Sequence, residues 1–313
     1  MATNSNACAI IVTYRPEPLQ FERLISRISP QVKAVVVVDN NDSDHVQGWM
    51  QDLRADVQFT YFILGGNRGL GAAQNIGIDF ASRNGFSFIL LLDQDSMPAH
   101  DMVERLLLSN EELRKDGHRV AAVGPRFVDT ETGCSSSFSR CGPFRFMHQQ
   151  CSEQSPDIVP AEFLISSGSL ISLEAINAIG PMDESLFIDL VDTEWFLRAK
   201  TRGYTAFGAC SAVMSHNLGQ KRIRVWLAGW RHVPYHPPVR HYYYFRNSMH
   251  LLKRDYVNWS WRKNQIFELF YMFFLFLLTS PPRFRQMRMM LKGIWDGLKG
   301  VTGKYEGQDA TVN

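Results

Sequence analysis

The chain has 313 residues, 45% of them apolar and 20% charged, enough for one large domain or two small ones and unlike a disordered or collagen-like chain. The net charge of +2 hides an uneven split, because residues 1–218 hold 17 Lys/Arg against 26 Asp/Glu while residues 219–304 hold 16 against 3. Such asymmetry suits a basic segment facing an anionic ligand, a membrane surface or a nucleic acid, and five cysteines with no C-x-x-C pair predict neither a disulfide framework nor a zinc site, which fits a reducing compartment.

In chain order, the first residues, MATNSNACAIIVTY, lack a basic stretch before a long apolar run, so no signal peptide is expected. Ala9–Thr13 predicts a strand, Leu19–Ile28 a helix, and Ala34–Val38 a second strand ending in Asp39-Asn40-Asn41. Thr60–Leu64 predicts a third strand, followed by the loop Gly65–Gly71 and a helix over Gly71–Arg83. Phe88–Leu92 is a fourth, closing in Asp93-Gln94-Asp95. Apolar strands alternating with helices predict a mostly parallel α/β sheet covered on both faces. Ligands of such sheets bind at the carboxyl ends of the strands. Here those ends carry Thr13, Tyr14 and Arg15, then Asp39, the Gly/Asn loop and the D-x-D triplet.

Further on, residues 101–115 predict a helix and Val120–Val128 a strand, while 129–160 read as irregular. Phe163–Ile171 predicts a strand with a small-residue bend at Ser167 and Gly168. Asp189, Asp192 and Glu194 then lead into a helix near Trp195–Gly203, and Ala206–Ser211 predicts a strand shortly before His216. From 219 onward the chain is basic, aromatic and mainly helical.

Each signal has an ordinary structural explanation alongside the chemical one. Two carboxylates leaving a buried strand are costly unless a cation meets them, and a divalent ion between carboxylate and phosphate oxygens would. A solvated turn would serve equally. The loop Gly65–Gly71 with Asn75 suits a phosphate at a helix N-terminus, or simply a tight turn. Asp192 and Glu194 fit helix-terminus acids, and His216 fits a packed histidine.

The order of these features resembles glycosyltransferase family 2, whose members have the GT-A fold and invert the donor sugar. The strings LLLDQDS (90–96), FLISSG (163–168), LFIDLVDTEWFLRA (186–199), HYYYFRN (241–247) and KGIWDGLKG (292–300) are similar to bacterial rhamnosyltransferases. Those include O-antigen enzymes and the enzyme adding the second rhamnose to a rhamnolipid. The resemblance implies a Rossmann-like GT-A domain over 1–218, with a nucleotide-sugar half over about 1–100 and an acceptor half over about 101–218. A C-terminal helical segment covers 219–313. It implies nucleotide-sugar contacts from Thr13, Tyr14, Arg15, Asp39, Asn67, Gly69, Asn75, Asp93, Gln94 and Asp95. Arg15 departs from the family's usual Asn. The resemblance implies an Mg²⁺ or Mn²⁺ ion on Asp95 and His216, and Asp192 as general base. Ser167, Gly168, Asp189 and Glu194 would stand on the acceptor side, the last two as rivals for part of the base role. The implied donor is dTDP-L-rhamnose, the acceptor a lipid-linked glycan or glycolipid, and the location the inner face of the cytoplasmic membrane.

The run Ile266–Leu278 is too short to span a bilayer. As a helix it must bury its surface in protein, at a homodimer contact or at an anionic membrane surface, where the Arg and Lys residues of 283–299 would help. Two other readings stay open: a relative using a UDP-hexose, and a non-catalytic nucleotide- or membrane-binding protein. Nucleic-acid binding is rejected, since the basic region holds no recognisable module.

Overall fold

The computed structural model describes residues 6–42, 58–129, 135, 137–143, 145–152, 156–216, 222–226, 230–234, 237–279 and 281–307. The chain divides into two compact units. One comprises Met1–Arg140, His148–Glu184 and Asp192–Asn217; the other comprises Cys141–Met147, Ser185–Val191 and Leu218–Asn313.

The first unit is built on a nine-stranded sheet. Its parallel part contains β1 (Ala7–Thr13), β2 (Ala34–Asp39), β3 (Gln58–Ile63) and β4 (Phe88–Asp93), in the order β3-β2-β1-β4. Every residue of β2 is buried and nearly all of β1, as expected for strands covered on both faces. The crossovers are α1 (Pro18–Ile28) and α2 (Leu70–Arg83). Glu17 caps α1 by accepting from the Leu19 and Gln20 amides, and Pro18 supplies a helix-ready φ at its start. Beyond β4 the direction changes. The short β10 (Leu170–Ser172) runs antiparallel between β4 and β6 (Val120–Asp129), and β6 pairs in parallel with β11 (Thr205–His216). β5 (Ser96–Pro98) pairs with the end of β11, and β9 (Ile158–Ala161) with its beginning. The helix α3 (Met102–Lys115) covers this half through Met102, Val103, Leu106 and Leu113. The helices α4 (Leu173–Ile179) and α5 (Val191–Thr201) complete the unit.

Four expectations change. Phe163–Ser169 is a loop rather than a strand, because its backbone is bound by side chains and by β4 instead of a ladder. The segment 129–160 is not wholly irregular: besides β9 it holds β7 (Ser137–Cys141) and β8 (Phe146–Gln150), a two-stranded ribbon. Asp192 and Glu194 do not precede a helix but occupy the first turn of α5. Finally, Cys151 and Cys210 form a disulfide with Cα atoms 5.7 Å apart. The antiparallel pairing of β9 with β11 brings the segment before β9 to Cys210, whose amide donates to the Asp157 carbonyl. No sequence spacing reveals a pairing made 59 residues apart by sheet topology.

The second unit contains α6 (Pro238–Lys253), α7 (Trp259–Thr279) and α8 (Arg283–Lys299), preceded by the hairpin β12 (Arg222–Trp226) and β13 (Trp230–Pro234). The alternation Arg-Ile-Arg-Val-Trp has period two and makes a strand in a segment that is otherwise mainly helical, as expected. Two apolar clusters hold the helices. One gathers Val239, Tyr242, Tyr243 and Met289 around Phe187; the other joins Phe245 to Leu269, Phe276 and Met290. Within this unit, residues 187–190 include three non-glycine positions of positive φ, Phe187, Asp189 and Leu190. Buried Arg246 and Asn247 hold them. Asn247 donates to the Leu186, Ile188 and Asp189 carbonyls, Arg246 donates to Leu186 and Gly303, and Arg240 forms a two-pronged pair with Asp189.

Candidate active site

The carboxyl ends of β1, β2 and β4 converge in the first unit, because these three strands are neighbours in parallel register. At the centre lies Asp39, fully buried. Its Oδ1 accepts from the Thr13 hydroxyl at 3.0 Å and from the Asn41 amide, and its Oδ2 accepts from the Tyr61 hydroxyl at 2.7 Å. Three donors satisfy the carboxylate, as a buried acid requires. Asn41 in turn accepts from the Arg15 amide at 2.8 Å, fixing Arg15 at φ +48° with its guanidinium 5.3 Å from the Tyr14 ring centre. Gln94 closes the other side. Its amide accepts from the Tyr14 N–H at 2.7 Å and donates to the Tyr14 carbonyl at 3.1 Å, tying the D-x-D turn to the end of β1.

The Gly/Asn loop is organised by Asn40. Its amide donates to the Asn67 side chain and the Gly69 carbonyl, and it accepts from the Arg68 N–H. Asn67 also accepts from the Gly69 N–H, immediately before α2. Asn40, Asn41 and Tyr61 were not singled out in sequence. The run Asp39-Asn40-Asn41 carried the signal for the first two, whereas Tyr61 is one aromatic of an ordinary strand.

Asn75 is placed elsewhere. Its amide makes three hydrogen bonds to residues 182–184, receiving the Met182 N–H and donating to the Met182 carbonyl and to Glu184. Ser167 is buried, accepts from the Asp93 N–H at 3.1 Å and is hydrogen-bonded to Ser96, so it braces the D-x-D turn. Gly168, at φ +79°, donates to the Leu91 carbonyl. Asp192 meets the loop that carries Ser167: its Oδ2 accepts from the Ser166 N–H at 3.1 Å and its Oδ1 from the Thr193 N–H at 2.7 Å. Glu194 is buried and paired with Arg198 through both oxygens at 2.9 Å, while Arg198 also donates to the Ile179 and Pro181 carbonyls.

Asp95 stands half-buried in the two-residue turn between β4 and β5. The antiparallel register of β5 and β11 sets His216 opposite Ser96, the residue after Asp95. Among the described residues there is no group of three or more His, Cys, Asp or Glu that could hold a metal. The Asp95 carboxylate nevertheless is the kind of hard oxygen ligand that a Mg²⁺ ion takes beside substrate phosphates and water.

A mostly parallel sheet flanked by helices, with its polar residues gathered at the strand ends, defines a GT-A-type α/β protein. The chain belongs to glycosyltransferase family 2: the family model "Glycosyl transferase family 2" matches residues 8–170, and the chain is a glycosyltransferase. It is 32% identical, over 96% of its length and 98% of the relative's, to the dTDP-rhamnosyl transferase RfbF of Shigella flexneri. It is 27% identical to the galactofuranosyltransferase GlfT1 of Mycolicibacterium smegmatis, over 79% of this chain and 83% of that one. The fold resembles GalNAc-T7 solved with UDP, GalNAc and Mn²⁺ (TM-score 0.57, 12% identity), covering 94% of this chain and 56% of that one. It also resembles S. aureus TarS 1-349 in complex with UDP-GlcNAc (TM-score 0.53, 16% identity), covering 94% and 81%.

Proposed function

We propose that the enzyme transfers L-rhamnose from dTDP-L-rhamnose, with inversion, to a hydroxyl of a lipid-linked glycan or glycolipid at the inner face of the cytoplasmic membrane. The observation that carries the donor is the end-to-end similarity to a dTDP-rhamnosyl transferase. It favours rhamnose over the UDP-hexose alternative.

In this reading Asp192 is the general base. Backbone N–H groups of Ser166 and Thr193 orient its carboxylate, whereas Glu194 is committed to Arg198 and Asp189 to Arg240. Asp192 accepts the proton of the acceptor hydroxyl as that oxygen bonds to the anomeric carbon. The bond from this carbon to the diphosphate oxygen breaks on the opposite face, and dTDP leaves with the electron pair. General-base assistance of this kind contributes roughly 10²–10⁴-fold. Tyr14 and Arg15 line the nucleoside side; Gln94 fixes the Tyr14 backbone and Asn41, itself held by Asp39 beside Thr13, fixes that of Arg15. Asn67 and Gly69 shape the α2 N-terminus toward the diphosphate. Asp93 and Asp95 complete the donor site, and Asp95 and, by the family resemblance, His216 would hold Mg²⁺ or Mn²⁺. When bound, that ion would offset the charge building on the leaving diphosphate. Ser167 and Gly168 hold the loop that meets Asp192, and Asn75 holds 182–184.

The test is nucleotide release from dTDP-L-rhamnose and from UDP-sugars with a rhamnosylated lipid acceptor. Turnover confined to the dTDP sugar supports the proposal; turnover with a UDP-hexose alone overturns its donor.

A further inference from the structure

The second unit turns apolar side chains outward on both of its last helices. α7 buries Trp261, Leu269, Leu275 and Phe276 on one side. On the other, Ile266, Phe270, Phe274 and Leu278 recur every four residues with Phe267 and Tyr271 beside them, and all six are exposed, Phe270 by 63%. The row is about 18 Å long at 1.5 Å per residue. A helix at the surface of a globular protein normally shows polar residues on that face. Here no charged side chain lies on the row between 266 and 278, and Glu268 is half-buried.

On α8 the pattern repeats. Gln286, Met289, Met290, Gly293 and Gly297 are buried, while Phe284 (83% exposed), Leu291, Trp295 and Leu298 share the outer face. Exposed Arg288 and Lys299 flank this row on the helical wheel, the Lys299 ammonium 4.6 Å from the Trp295 ring centre, and exposed Arg283 stands at the helix start. The one acid of α8, Asp296, is buried and accepts from the Tyr242 hydroxyl and Lys292. The outer face of α8 is thus apolar and of one sign.

We infer that these outer faces dock on an anionic lipid bilayer, with both helices lying on it and neither crossing it. The apolar rows enter the acyl boundary, and Arg283, Arg288 and Lys299 meet headgroup phosphates. Charge complementarity selects this occupant. A second copy meeting the same face would bring like charges together, whereas an anionic membrane supplies the opposite sign. Trp259, Tyr271 and Trp295, all exposed, are amphipathic residues suited to the interface. Among the described residues no helix is long and apolar enough to cross a membrane. The inference deepens the proposed function and rests on its lipid-borne acceptor for purpose, but vesicle binding needs neither donor nor acceptor.

The experiment is flotation of the whole protein with vesicles of phosphatidylcholine alone or mixed with phosphatidylglycerol. Wild type is expected to float with the mixed vesicles. Phe270→Asp with Phe274→Asp should cut the bound fraction more than about tenfold, given the apolar area withdrawn. Arg283→Glu with Arg288→Glu should abolish the preference for phosphatidylglycerol, since basic residues near the surface supply the attraction to anionic headgroups. Unchanged melting temperatures would show that these surface variants fold. Wild type that stays unbound with the mixed vesicles overturns the inference, as does a dimer in light scattering that the Phe pair dissociates while vesicles bind neither form. Nucleotide release with a water-soluble acceptor separates the two claims: turnover without flotation sinks only the docking, and flotation without turnover of any donor sinks only the transferase reading.

Discussion

Asp192 and Glu194 sit two residues apart in the first turn of α5 and are held in contrasting ways. Asp192 is oriented by backbone N–H groups, and Glu194 is locked to Arg198 beside the Ile179 and Pro181 carbonyls. Opposite phenotypes follow. Asp192→Asn should lower kcat by roughly 10²–10⁴-fold with donor binding by calorimetry near wild type. Near-wild-type turnover would remove Asp192 from the mechanism. Glu194→Gln breaks a buried pair and should cost about 3 kcal/mol of stability, seen in urea unfolding, while the folded fraction still turns over. Which acid does which could not be read in sequence, since both fit a dipole-favoured helix start. Asp39 gives the same lesson. Its place at the end of β2 was legible, but its engagement by Thr13, Asn41 and Tyr61 was not, because Tyr61 is brought in by a neighbouring strand. Tyr61→Phe removes one of these three donors and should weaken donor binding while leaving kcat nearly unchanged; a fall in kcat alone would contradict this.

At the scale of elements, the apolar parallel strands were legible because burial on both faces writes a near-continuous run of Val, Ile and Leu. The Phe163–Ser169 loop imitated such a run, and only tertiary bonds to β4 show that it is not one. Gly168 is the check on that loop. A Cβ there would stand 2.6 Å from the Pro125 side chain, at a φ of +79° that side-chain-bearing residues rarely adopt. Gly168→Ala should therefore destabilise by about 1–3 kcal/mol and disturb the D-x-D turn through Ser167. In the second unit, α6 and α8 approach so closely that a Cβ on Gly297 would lie 2.5 Å from the Arg246 carbonyl oxygen. Gly297→Ala must push the helices apart, and its thermal midpoint should fall accordingly. His250 offers a pH test of the same helices, since its Nε2 lies 2.8 Å from the Val301 carbonyl oxygen. Burial lowers its pKa below the ordinary value near 6.5. The folded state then binds fewer protons than the unfolded one, so this contribution is intact above the unfolded pKa and lost as pH falls through it. The melting temperature should decline as pH falls below the ordinary histidine value near 6.5, less so in His250→Gln.

Across the whole molecule, the charge split along the chain was visible at once, yet its meaning needed the helices. Composition reports 16 basic residues over 219–304, but only the fold turns Arg288 and Lys299 outward beside apolar rows and Arg246 inward onto backbone carbonyls. The disulfide is likewise a product of sheet topology. The central claim is metal-assisted rhamnosyl transfer at the ends of β1, β2 and β4. Its most direct test is dTDP release from dTDP-L-rhamnose with a rhamnosylated lipid acceptor, run with Mg²⁺ or Mn²⁺, with EDTA, and with Asp95→Ala. Release with metal is expected, with loss in EDTA that adding the ion back restores, and with loss in Asp95→Ala. Undiminished release in EDTA and in Asp95→Ala would contradict it, as would an enzyme that binds no dTDP-sugar in calorimetry.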